Sequence, residues 1–130
     1  MLKRPGQKGN NHAGDPVSPE GHEPLDLPRA LAEFDNDRDF LKGVLDGYVG
    51  TVKGQIEIMR TAIARGRSED VKREAHSIKG GAANLTAEAL AGCARELEQL
   101  SGTGMLHGAV DVLARLEREF SRLEEYALRL

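Results

Sequence analysis

Between Leu41 and Ile63 the apolar residues Leu41, Leu45, Tyr48, Val52, Ile56, Met59 and Ile63 follow one another at intervals of four, three, four, four, three and four. That rhythm keeps one stripe of a helix apolar along its whole length, whereas a strand would alternate at every second residue. A long helix with one apolar stripe needs other helices to cover it. The remaining sequence supplies them. Val71, Ala75, Ile78, Ala82 and Leu85 form one stripe, and Leu90, Ala94, Leu97 and Leu100 or Ser101 form a second. Leu106, Val110, Leu113, Leu116, Phe120, Leu123, Ala127 and Leu130 form a third. With no Trp, three Phe and two Tyr, the core is aliphatic, which favours helix packing over a sheet sandwich. The expected fold is all-α, an up-down-up-down four-helix bundle with a short extra N-terminal helix covering one end.

The punctuation agrees. Asp26 can cap a short helix running through Phe34, with Pro28 in its first turn. Asn36 or Asp37 caps the second helix and Gly66 ends it. Ser68 is suited to cap the third helix, with Glu69 and Asp70 in its first turn, and Thr86 to cap the fourth. Gly102-Thr103-Gly104 reads as a turn, after which His107 begins the last helix. Residues 1–23 are rich in Gly, Pro, Asn and Lys without apolar periodicity, so a disordered tail is expected there, with one domain over residues 24–130.

Several function classes fall away. A net charge of −3 does not suit a general nucleic-acid binder. No run of 18 apolar residues is present, so no membrane span is expected. Lys3 and Arg4 lack an apolar segment behind them, so they do not start a secretory signal, and a cytoplasmic location is expected. The single Cys93 suits a reducing compartment and reads as a small core residue. His12 and His22, ten residues apart without neighbouring Cys or clustered acids, are poor metal ligands. No metal site is expected in this chain. The charge is uneven, however: residues 60–79 hold six basic side chains against three acids, and from Thr86 onward eight acids face five basics. The basic end would favour an anionic group or an acidic partner cleft.

That end contains Ala75-His76-Ser77-Ile78-Lys79-Gly80-Gly81-Ala82-Ala83-Asn84-Leu85. On a helical wheel His76 lies about 140° from the apolar stripe, with Lys72, Lys79, Gly80 and Ala83 clustered around it. A histidine serving the core would lie on the stripe. Two adjacent glycines inside a helix cost about 1 kcal/mol each relative to Ala, so a need for close approach is expected there. Lys79 is a compact cation suited to phosphate oxygens. Neutral imidazole is a nucleophile near pH 7, and it works best when a partner holds its second nitrogen. Arg95, Glu98 and Gln99 are the candidates on the facing helix.

The segment resembles the histidine phosphotransfer (HPt) family, including the phosphorylated domain of chemotaxis kinases, in which His-x-x-Lys-Gly followed by small residues marks the phospho-accepting helix. Helix order and lengths extend the resemblance over about residues 25–128. It implies His76 as phospho-acceptor, Lys79 beside it, and Glu98, 22 residues on, at the place of an orienting glutamate. It also implies a response-regulator receiver domain and a sensor histidine kinase as partners, the receiver's aspartate pocket bringing Mg²⁺. Lys72, Gly80 and Ala83 would then meet the partner. Gly43, Gly47, Gly50 and Gly54 recur opposite the core stripe of the second helix. Since receivers dock across helices next to the phosphorylated one, Gly47 and Gly50 are expected to take part, the alternatives being close approach of a second copy of the chain or a stripe tolerated because tertiary packing carries the helix. Gly81, often Ala in the family, and Thr86, often Gly, depart from the pattern.

The function expected is a monomeric, free-standing phosphoryl carrier in a His-Asp relay, without kinase activity of its own or a bound cofactor. Two other readings compete with it. One is a receiver-binding helical module that docks without transferring phosphate, although such a module would be free to lose His76. The other is a structural bundle with a fortuitous motif, which leaves Gly80 and Gly81 unexplained.

Overall fold

Helix ends in this chain are set by a few side chains and by left-handed backbone. The computed structural model describes residues 23–130. The tail through residue 22, with His12 and His22, lies outside them. Five helices follow: α1 (Leu27–Glu33), α2 (Arg38–Ala64), α3 (Ser68–Asn84), α4 (Glu88–Gly102) and α5 (Ala109–Arg129). Asp26 caps α1 by accepting from the Arg29 N–H at 3.3 Å, and Asp37, not Asn36, caps α2 by accepting from the Phe40 N–H at 3.0 Å. Gly66 ends α2 with φ of 70°, while the Arg67 N–H returns to the Ala62 carbonyl at 2.8 Å.

α2, α3, α4 and α5 form a closed square, each packing on its sequence neighbours and α5 returning to α2. Cross-contacts fix the antiparallel order. Tyr48 Oη donates to the Ile78 carbonyl at 2.7 Å and Gln55 Nε2 to Glu74 Oε1 at 3.2 Å between α2 and α3. Lys53 pairs with Glu124 at 2.9 Å and Arg60 with Glu117 at 2.6 Å between α2 and α5. Leu41, Leu45, Met59, Ile78, Leu90, Leu97, Leu116 and Leu123 are fully buried at the centre. Each such side chain contributes about 1.5–3 kcal/mol through removal from water. α1 closes one end, burying Leu25, Leu27 and Ala30.

Four expectations are corrected. Ser68 is the first helical residue of α3; Arg67 takes the cap position without a side-chain bond. Thr86 does not cap α4, which begins after Ala87. It adopts φ of 58° in the turn between α3 and α4, where the Ala87 N–H bonds back to the Ala82 carbonyl at 2.8 Å. Its hydroxyl instead accepts from the Asp26 N–H at 2.9 Å and donates to the Asp26 carbonyl at 3.0 Å. The last helix starts at Ala109, because Gly108 turns the chain with φ of 84°, so His107 precedes it. Val110 is therefore exposed, while Tyr126 joins Leu123 and Ala127 in the core.

The two adjacent glycines of α3 also part company. Around Gly80 there is open space, but a Cβ on Gly81 would run into the Tyr48 ring. That ring is anchored by its bond to Ile78, so it has little freedom to yield. The close approach expected of the glycine pair is thus met at Gly81 by α2–α3 packing. Gly81→Ala should lower stability by about 1–3 kcal/mol through overpacking. Gly47→Ala and Gly50→Ala, with nothing near either position, should each raise it by about 1 kcal/mol. Urea unfolding of the three variants checks both signs.

Candidate functional site

α3 lies between α2 and α4 and offers them different flanks. Tyr48 and Gln55 of α2 meet one side, through Ile78 and Glu74. His76 reaches to the other. Its imidazole is 69% exposed, yet Nδ1 stands 2.8 Å from Glu98 Oε2 on α4. The second carboxylate oxygen, Oε1, accepts from Lys79 Nζ at 2.7 Å. One half-buried carboxylate thus holds both the histidine and the lysine of the motif.

Of the three facing candidates, Glu98 is the one in contact. Arg95 is exposed and has no ion pair among the described residues, and Gln99 lines a separate depression with His107 and Asp111. Lys79 does not project freely into solvent; its ammonium is engaged by Glu98. That ammonium, and after it the imidazole, hold the Glu98 carboxyl below the usual glutamate range, against the partial burial that would raise it. An ionised carboxylate only accepts hydrogen bonds, so the proton in the contact belongs to Nδ1. In the neutral ring Nε2 then carries the lone pair.

Beside the ring is an open depression of about 480 Å³, lined by Glu69, Lys72, Arg73, His76 and Glu98. Glu69 and Arg73 were not singled out by sequence reasoning. Their spacing of seven and three residues before His76 carries the signal, since helical side chains lean toward the preceding turn. Arg73 is paired with Asp70 at 3.0 Å and Glu74 at 3.5 Å. Lys72 is exposed and has no hydrogen-bond or ion-pair partner among the described residues. The basic surplus of this end is accordingly reduced: Arg60, Arg73 and Lys79 are neutralised locally, leaving Arg65, Arg67 and Lys72 without an ion pair among the described residues.

Gly80 and Ala83 are exposed on the same helix as His76. Gly43, Gly47, Gly50 and Gly54 are also exposed, with open space at each, but they stand on α2 and do not join the His76–Glu98–Lys79 group. Cys93 is half-buried against the core, and burial pushes its thiol upward, away from reactivity. Among the described residues no three His, Cys, Asp or Glu side chains gather as a metal site, and no helix is long and apolar enough to cross a membrane.

The sequence profile of the Hpt domain matches residues 43–126, and the chain belongs to that family, the phosphotransfer domains that interact with kinases and response regulators in two-component relays. Among solved structures, the chain is similar to the crystal structure of histidine-containing phosphotransfer protein B from Pseudomonas aeruginosa PAO1, with 29% identity and a TM-score of 0.73. The match covers 82% of this chain and 96% of that one. No curated protein sequence was found to match.

The depressed Glu98 carboxyl has a consequence for acid stability. A group whose folded-state pKa lies below its unfolded value stabilises the fold fully above the ordinary glutamate range, and loses that effect as pH falls through the folded value. Glu98→Gln should therefore flatten the acid limb of the stability profile below the ordinary glutamate range, as read by urea midpoints across pH. An unchanged limb would mean the contact with Lys79 and His76 does not persist in solution.

Proposed function

We propose that His76 is the phosphoryl-accepting residue of a His-Asp relay, taking the group from a kinase phosphohistidine or a receiver aspartyl phosphate and passing it to a receiver aspartate. The observation that carries this is the Nδ1 contact with Glu98, which in the neutral ring leaves the Nε2 lone pair for reaction on an exposed side chain. The lone pair of Nε2 forms the N–P bond as the donor's bond to phosphorus breaks, its electron pair leaving with the donor. Nδ1 keeps its proton, the ring becomes cationic, and Glu98 faces that charge. Lys79 keeps Glu98 ionised and in place. Catalysis of this kind needs positioning and charge neutralisation more than covalent chemistry from the protein. Mg²⁺ belongs to the partner's aspartate pocket.

Docking is assigned to the α3 surface around the ring. Lys72 supplies positive charge there, and the bare Gly80 and small Ala83 let a partner backbone come close. Gly47 and Gly50, exposed on the adjacent helix α2 with open space at each, extend the proposed docking face beyond α3. A monomer acting in the cytoplasm fits this reading. The competing module that binds a receiver without transfer would have no use for an oriented, exposed imidazole.

Incubation with a phosphorylated receiver domain and Mg²⁺ should place an acid-labile, alkali-stable label on the parent chain. His76→Gln should abolish the label with helicity unchanged, and Glu98→Ala should slow its appearance about 10-fold or more, in the range found for loss of a group that orients a reacting residue. A label persisting on the His76→Gln variant would end the assignment.

A further inference from the structure

The lysine of the motif and the one available to an incoming phosphoryl group are different residues here. Lys79 is tied to Glu98 Oε1 at 2.7 Å, and the same carboxylate fixes Nδ1 of His76 from that side. Nε2 is the ring nitrogen that this contact with Glu98 leaves unengaged. Helical side chains lean toward the N-terminal turn, and the ring borders the depression that Lys72, Arg73 and Glu69 line. Lys72, one turn before His76, shares its face. Arg73 is occupied by Asp70 and Glu74, whereas Lys72 has no partner among the described residues. Of the two acids in the same depression, Glu98 is engaged by Lys79 and His76, and Glu69 is the other.

We infer that Lys72, rather than Lys79, is the cation that receives the phosphoryl oxygens on His76, with Glu69 working against it. This rests on the acceptor role of His76. When the group transfers from a small donor such as phosphoramidate, the Nε2 lone pair forms the N–P bond and the donor's P–N bond breaks, its electron pair leaving with ammonia. The group on Nε2 then carries the negative charge that Lys72 meets, while the cationic ring is met by Glu98. Lys79 acts one step removed, by holding Glu98.

Phosphoramidate labelling of the full chain, without any receiver, separates these roles from partner docking. Incorporation is followed by intact mass, with the His76→Gln variant subtracted as background. Lys72→Ala should slow labelling and shorten the phosphohistidine lifetime by about two- to fivefold at low salt, the range of an exposed ion pair. Added salt should shrink the difference. Lys72→Arg should restore both, and Glu69→Gln should raise both. The phosphorus NMR titration of the bound group should move to higher pH in Lys72→Ala. Parent-like behaviour of Lys72→Ala, or a larger loss in Lys79→Ala than in Lys72→Ala, would overturn the inference while leaving His76 as acceptor. Absence of any label dependent on His76 would remove the acceptor itself, and the inference with it.

Discussion

The close pairing of α3 and α4 is the constraint on which the site depends. Ala75, Ala82, Ala91 and Ala94 are fully buried, and α3–α4 is the most extensive helix contact of the bundle. The separation of packed helices follows the size of the side chains between them. Small residues therefore bring Glu98 within 2.8 Å of a histidine 22 positions earlier in the chain. Larger side chains here would push the helices apart and lengthen that contact first, since it bridges them at the rim. Fold and site are coupled through residues that never touch a substrate.

Charge is distributed in two ways across the same molecule. Along α2 and α5, Lys53–Glu124 and Arg60–Glu117 lie at the surface, where such pairs contribute only about 0–1 kcal/mol each. They match the two helices without determining the fold. Around His76 the pairing is incomplete. One carboxylate serves a lysine and an imidazole, and Lys72 remains outside the network among the described residues. An exposed ring with one nitrogen restrained contributes little to stability, so the group can change its charge without threatening the core beneath it.

Much of this was legible in the amino-acid order. The stripe from Leu41 to Met59 is buried as its spacing requires, and so is that from Val71 to Leu85. The same wheel that places these residues inside places His76 outside. Glu98 could be narrowed only to three neighbours from helix pairing, because register between helices depends on the shapes that meet between them. At Gly81 the expected close approach comes from the Tyr48 ring on another helix, a partner that propensity, which sees only the local cost, cannot name. The last helix was started too early because Leu106 continues the apolar rhythm across a break at Gly108, where backbone direction resets the phase. Thr86 has the chemistry of a cap, yet its hydroxyl is claimed by a backbone group 60 residues away.

That hydroxyl gives the protein a boundary its family signature does not reveal. The Hpt profile begins at residue 43, but the α3–α4 turn is completed by Asp26. A β-branched residue in left-handed backbone is a steric outlier, and Thr86 has its hydroxyl satisfied by an upstream peptide group that no part of the profile contains. The peptide group of Asp26 and the hydroxyl of Thr86 therefore act as one unit, 60 residues apart in the chain. Moving this domain into another protein means carrying residues 24–26 with it, as part of the turn that ends the histidine helix.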